Sequence, residues 1–424
     1  MEPFVKTGGL GDVSGALPRA LAELGIDIEV LCPLHREIDR SHWNLRISDS
    51  LRSTQVRVGD QYFPVTFWET PREVSPFDIR FVDIPQFFDR PGVYTEPVSK
   101  ESYWDNGGRF GGFCLAALSR LEQSAGAFNI VHVNDAHCAL LPVFLRLTHV
   151  HNPVLRRLRT LLTIHNLEHQ GQYDKSLAPA LGLPGWTAAP MGPLEFYDKL
   201  NSMKGGINYS DKINTVSPRY ARETMENPDF GFGLETVLRS RRDDYSGILN
   251  GVDLGAWNPS TDKYLTEFNG NFSIADLSAK AVCKARLHAE FDLPAEAWHR
   301  PTIGIVSRLA YQKGFDMFLK AADRILGAGL NLTVVGTGRD EDVDGFNDLM
   351  RRNPDRCAFK AAFSDRLAHL VTAGADLLVM PSRYEPGGLN QVYAMRYGTA
   401  PVVRGVGGLA DTVRNFDPVD SPDG

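Results

Sequence analysis

No stretch of the sequence approaches the ~18 to 20 consecutive apolar residues that a bilayer-crossing helix requires, and Met1 leads into Glu2-Pro3 rather than a basic and then apolar leader. The chain therefore reads as soluble and unsecreted. Cysteine is scarce: the 5 residues Cys32, Cys114, Cys138, Cys283 and Cys357 are odd in number, far apart and without a C-x-x-C pair. That argues against a disulfide framework or zinc knuckle and favours a reducing cytoplasm. Long Lys/Arg runs are missing, and 45 basic against 52 acidic side chains leave a net charge of −7. This balance argues against nucleic acid or an anionic membrane as partner and leaves room for a local basic pocket for phosphate. Nor is there an internal repeat or low-complexity tract.

Common catalytic signatures are missing too. There is no G-x-x-x-x-G-K-[ST] P-loop, no G-x-S-x-G elbow and no H-E-x-x-H. Gly9-x-Gly11 is followed by Ser14 where a dinucleotide fingerprint needs its third glycine, which argues against a nicotinamide dehydrogenase. His165 and His169 are four apart, but His165 ends an apolar run expected to be a strand, where that spacing does not converge on a metal.

The chain does have globular composition, 43% hydrophobic, 10% aromatic and 23% charged, over 424 residues. Single cores stop growing near ~250 to 300 residues, so two domains are expected. Short Val/Ile/Leu runs alternate with helical patterns, the signature of a mostly parallel sheet covered on both faces. Strands are expected at 28–32, 130–134, 160–164 and 212–216, with helices at 13–24 and 109–122 and extra strands at 62–67 and 79–84 in an irregular insert. After a turn-rich connection following Asn250-Gly251, a second cycle places strands at 302–306, 332–335, 376–380 and 401–403, and helices near 316–326, 342–352, 365–372 and 389–397. The expected domains are residues 1–251 and 252–424.

Glycine-rich loops stand at the expected strand ends. Lys6-Thr7-Gly8-Gly9-Leu10-Gly11-Asp12 precedes a helix, where unsatisfied amides attract anions and glycine lets a ligand come close. Arg308 and Lys313 follow the strand 302–306, an arrangement suited to a diphosphate. Glu385-Pro386-Gly387-Gly388-Leu389 and Gly405-Val406-Gly407-Gly408-Leu409 follow two further strands. A carboxylate such as Glu385 would be repelled by phosphate unless it faces another part of the ligand, such as sugar hydroxyls; a nucleotide sugar has both. Asp135 and His137, at another strand end, can contact polar substrate or cap the next helix. The two facing carboxylates of a glycoside hydrolase are not excluded, but they leave the cationic loops unexplained.

With these residues in view the chain resembles the bacterial glycogen synthases and plant starch synthases, retaining glycosyltransferases of GT-B fold. The motifs run in order through nearly the whole sequence: Lys6-Thr7-Gly8-Gly9-Leu10, Asn134-Asp135-Ala136-His137, Thr163-Ile164-His165-Asn166-Leu167, Asn214-Thr215-Val216-Ser217-Pro218, Leu249-Asn250-Gly251-Val252-Asp253, Ser307-Arg308-Leu309 with Gln312-Lys313-Gly314, Pro381-Ser382-Arg383-Tyr384-Glu385-Pro386 and Gly407-Gly408-Leu409-Ala410-Asp411. The K-T-G-G-L loop is the most specific; the Arg/Lys pair and E-P-x-G-L are shared by many GT-B enzymes.

The resemblance implies two Rossmann-like domains facing a central cleft, the first on the acceptor side and the second on the donor side. It also implies glucose transfer from ADP-glucose to the non-reducing end of an α-1,4-glucan, with retention and without a metal or other cofactor. By motif, Arg308 and Lys313 would neutralise the leaving diphosphate, approached from the other domain by Lys6 and the Gly8 and Gly9 amides. Glu385 would hold glucose hydroxyls, and the amides of Gly387, Gly388, Leu389, Gly407, Gly408 and Leu409 would bind sugar and phosphate. His165 and Asn166 would lie against the donor sugar, Asp12, Asp135, His137 and Asn250 would line the cleft, and Phe359 would set its ring against the base.

Gly387 and Ala136 depart from the cysteine and tryptophan usual at their places, and the chain looks truncated at both ends relative to the family pattern. The rival expectations are a related glucosyltransferase using UDP-glucose or a different acceptor, and a catalytically silent glucan-binding homologue. Oligomeric state is not legible.

Overall fold

A computed structural model describes residues 1–417 of the chain. It forms two compact units, Met1–Val216 with Ala221–Gly251, and Ser217–Tyr220 with the chain from Val252 on. Ser217–Tyr220 groups with the second unit because Asp411 Oδ2 accepts from Ser217 Oγ at 2.5 Å and from the Arg219 amide at 2.9 Å. Among the described residues no helix is long and apolar enough to cross a membrane.

In the first unit, Ile130–Asn134, Arg159–Ile164, Lys212–Thr215 and Tyr245–Gly247 make a four-stranded parallel sheet in chain order. The strand expected at 28–32 does not join it. Glu29–Pro33 instead runs parallel to Asp78–Asp83 in a separate sheet, completed by Gln61–Glu69 with Arg46–Ile47 and Thr54–Val58 as its antiparallel partners. The reason lies in side-chain register: pairing Cys32 with Phe81 puts both into a core with Phe4, Leu34 and Ile79. The helix Asn106–Gln123 packs closely through its glycines, since a Cβ at Gly111 would come within 2.5 Å of Leu181 and one at Gly112 within 2.6 Å of the Phe87 ring.

The second unit holds a five-stranded, wholly parallel sheet ordered Cys357–Lys360, Asn331–Val335, Thr302–Val306, Leu377–Met380, Ala400–Val403. Numbered along the chain this is 3-2-1-4-5, the doubly wound order. One face carries Phe315, Phe318, Phe346 and Leu349, the other Leu287, Phe291, Leu370 and Val371. Both faces are covered, which is why the central strands are mostly apolar instead of alternating, with Thr302, Asn331 and Thr333 buried among them. The order in which strands are added changes direction between Thr302–Val306 and Leu377–Met380, which run parallel, and ligands of such sheets bind beyond the carboxyl ends at that switch point.

Candidate active site

The loops leaving those two strands are tied to each other. Gln312 O accepts from the Arg383 amide at 2.8 Å, and Gln312 Nε2 donates to Tyr384 O at 3.2 Å. The Arg383 guanidinium grips Asp316 with two bonds of 2.7 Å and lies 3.9 Å over the Tyr311 ring. Those two bonds hold the exposed Asp316 carboxylate down at about 2. The clamp sets Lys313 against Glu385: Nζ lies 2.9 and 2.7 Å from the carboxylate oxygens, and Ser382 Oγ donates to the same group at 2.8 Å. Arg308 is exposed on the same edge, and its guanidinium makes no ion pair among the described residues. Thus two residues assigned by sequence to different halves of a ligand are each other's counter-ions here, while Arg308 has no counter-ion among the described residues.

The glycine loops have unequal duties. The amides of Gly387, Gly388 and Leu389 make no hydrogen bond among the described residues and remain available as donors. The amides of Gly408 and Leu409 do not: Gly408 N–H is spent on Glu385 O at 3.0 Å and Pro386 O at 3.1 Å, and Leu409 N–H on Val406 O at 3.1 Å. This corrects the expectation that those amides bind sugar and phosphate. A Cβ at Gly407 would meet Glu385 O at 2.0 Å and one at Gly408 would meet Gly387 O at 2.1 Å, so these glycines let one loop lie against the other.

A second correction concerns Phe359. It lies on Cys357–Lys360, a strand the sequence did not reveal, and is buried in the core with its ring 5.5 Å from Phe346. The exposed ring at that carboxyl edge is Phe363, 73% accessible, which sequence reasoning missed. Its signal was an aromatic between a strand end and Ser364, whose hydroxyl caps the helix Asp365–Gly374.

In the first unit the strand-end residues form one hydrogen-bonded group. Asp135, with φ +56, is buried, and its Oδ1 accepts from the His165 amide at 2.7 Å and the Asn166 amide at 3.5 Å. It therefore positions the His165-Asn166 loop instead of lining an open surface. His165 Nε2 donates to Asn134 Oδ1 at 3.0 Å, and Asn166 Oδ1 accepts from the Glu168 amide at 3.1 Å. The segment 165–169 is not helical, so His165 and His169 are not stacked as a metal pair. His137 is sandwiched by Tyr94 and Phe110, each 4.5 Å away, and burial pushes it down to about 4, leaving it neutral.

Within the K-T-G-G-L loop Lys6 pairs with Asp12 at 2.5 Å. Gly8 and Gly9 open the helix Gly9–Glu23, and a Cβ on either would meet nothing within 4 Å, so their glycines leave room in front of the helix start. Asn250 follows Tyr245–Gly247 and is half-buried. Ala136 packs where a Cβ on Gly171 would come within 3.1 Å, which leaves no space for a large ring without displacing that turn.

Residues 1–240 match the starch synthase catalytic domain family and residues 292–420 the glycosyl transferases group 1 family. A glycogen synthase of Anaeromyxobacter sp. strain Fw109-5 is 45% identical over 98% of this chain and 84% of its own length. One from Koribacter versatilis strain Ellin345 is 41% identical over 98% of this chain and 83% of its own. Among solved structures, the catalytic domain of starch synthase IV from Arabidopsis thaliana, bound to ADP and acarbose, superposes with a TM-score of 0.88 at 30% identity, covering 98% of this chain and 83% of that one.

Proposed function

The chain belongs to the glycogen and starch synthase family of glycosyltransferases, and from that premise we propose that it transfers glucose from ADP-glucose to the non-reducing end of an α-1,4-glucan with retention of configuration. The observation that carries this is the charge arrangement at the switch point of the second unit. Exposed Arg308, the Lys313–Glu385 pair and three unbonded amides stand on loops tied to one another. The similar starch synthase IV was solved bound to ADP and acarbose.

As the bond from the sugar carbon to the diphosphate breaks, negative charge grows on the diphosphate and positive charge on the sugar ring. Cations and amides already in place stabilise that transition state more than the ground state. In our reading Arg308 and Lys313 take the diphosphate, which releases Glu385 toward glucose hydroxyls. The amides of Gly387, Gly388 and Leu389 supply further donors, and Phe363 offers a face to the base. His165, Asn166, Asn250 and the Lys6-Gly8-Gly9 loop are assigned to the donor, and Asp12 to the acceptor side. No metal is required, so activity in a chelator such as EDTA should equal activity without it, and a chelator-sensitive rate reversed by a divalent cation would refute this part. A cytoplasmic setting is part of the same reading, supported by five cysteines that are all free.

Incorporation of labelled glucose into glycogen from ADP-glucose and UDP-glucose in parallel tests the proposal. We expect ADP-glucose to be used and a Glu385→Ala variant to lose at least about 10² in rate. Preference for UDP-glucose would move the chain to a related glucosyltransferase. No transfer from either donor, with glucan still bound, would make it a silent binding homologue.

A further inference from the structure

We propose that Gln391 is a positioning residue that aims the amides of Gly388 and Leu389 at the donor; this rests on the reading above. Gln391 is fully buried in the short helix Asn390–Arg396. Its Nε2 lies 3.1 Å from each of Gly387 O, Gly388 O and Thr412 Oγ1, which share its two hydrogens. The Thr412 hydroxyl is committed as a donor to Gly408 O at 2.6 Å, so it accepts from Gln391. The amide orientation is thereby settled, because a flipped side chain would press its oxygen against two carbonyls.

These peptides are trans and planar, so the N–H of each residue points opposite the carbonyl of the one before it. Pro386 O is held by the Gly408 amide at 3.1 Å, which turns the Gly387 N–H outward. Gly387 O and Gly388 O are held by Gln391, which turns out the N–H groups of Gly388 and Leu389. Successive N–H groups on one side of a loop make a concavity suited to anionic or hydroxyl oxygens. Gly388, with φ +67, provides the left-handed step that this path needs.

Gln391 Oε1 is buried and without a partner among the described residues. A buried, unsatisfied acceptor is destabilising, and an apolar side chain of the same shape would avoid it. What the apolar side chain lacks is the NH₂ group that fixes the two carbonyls.

The test is steady-state kinetics of the full chain, of Gln391→Met and of Gln391→Glu, with ADP-glucose and glycogen varied separately and melting followed in parallel. In Gln391→Met, kcat/KM for ADP-glucose should fall about 10² while KM for glycogen stays within about twofold, as expected when aimed donors are lost. In Gln391→Glu an ionised carboxylate has no donor, and protonation restores one. A carboxyl that titrates below pH 6 gains about 100-fold in its protonated fraction from pH 8 to pH 6, so activity relative to the parent should rise by up to that factor. A Gln391→Met enzyme within about threefold of the parent, or equal losses toward donor and glycogen, overturns the proposal. If Gln391→Met does not fold, the pH ratio of Gln391→Glu decides, and a flat ratio overturns it. If the parent itself does not use ADP-glucose, the functional reading fails and ADP binding by calorimetry decides on Gln391. At least tenfold weaker ADP binding in either variant supports the positioning role, whereas unchanged binding, or a parent that does not bind ADP, overturns it.

Discussion

Glu385 and Lys313 show what one carboxylate does in a site built for anions. Their side chains are only 7% and 17% exposed, so each would lie poorly solvated without the other. A diphosphate can replace Glu385 as the counter-ion of Lys313. Glu385→Gln should therefore slow transfer while strengthening ADP as an inhibitor several-fold, and ADP should raise the melting temperature of the variant more than that of the parent. Weaker ADP inhibition would mean that Glu385 assists diphosphate binding instead of competing with it. The two phenylalanines near the third strand separate in the same way. Phe359→Ala should cost about 3 to 5 kcal/mol in denaturant unfolding, as for other buried rings. Phe363→Ala should leave stability nearly unchanged and raise KM for ADP-glucose about tenfold, the scale of one lost base stack.

At the scale of elements, site geometry is held by loops packed on loops. The Gly405–Leu409 turn supports the Glu385–Gly388 segment through the Gly408 amide, with no space for a side chain between them. Gly408→Ala should therefore push the Gly387 carbonyl away, lower transfer by more than about tenfold and cost about 1 to 3 kcal/mol, the range for overpacking. Hydrogen exchange should report the change in the segment 385–391 first, and loss of protection spread evenly over the sheet would contradict a local support. The strands of the second unit were legible because their apolar runs sit between turn signals. The strand Cys357–Lys360 was not: its four residues include a lysine and lack that continuous pattern, and only pairing with Asn331–Val335 makes it a strand. The separate sheet containing Glu29–Pro33 was illegible for a related reason, since strand partners are chosen by side-chain register across distant segments.

At the scale of the whole molecule, acid should reach the first unit through its histidines. Burial, with the nearby Arg109 guanidinium, pushes His35 down to about 3; burial, with His165 beside it, pushes His132 to about 4; and burial pushes His137 to about 4. In each the unfolded chain takes up a proton near 6.5 and the folded chain only near 3 to 4, so the unfolded state holds more protons in between. Stability is full above about pH 6.5 and falls as pH drops toward 4, by up to about 1.4 kcal/mol per pH unit for each histidine. Urea unfolding between pH 7 and 4.5, followed by hydrogen exchange in residues 1–216, should show this fall. A flat profile would mean that these histidines are solvated.

The sequence by itself determined the two α/β units, the places of their glycine loops and the charged residues on them, because strand periodicity, turn chemistry and motif order are local properties. It pointed to Lys6, Arg308, Lys313 and Glu385 by charge and spacing alone. Tertiary structure decided which of them face one another: Lys313 with Glu385, Lys6 with Asp12, Asp135 with the His165 and Asn166 amides. It also decided which amides are spent and which are free, and that Phe363 rather than Phe359 reaches the surface. Hydrogen-bond partnership and burial depend on chain segments far apart in sequence, and only the folded packing brings those segments together.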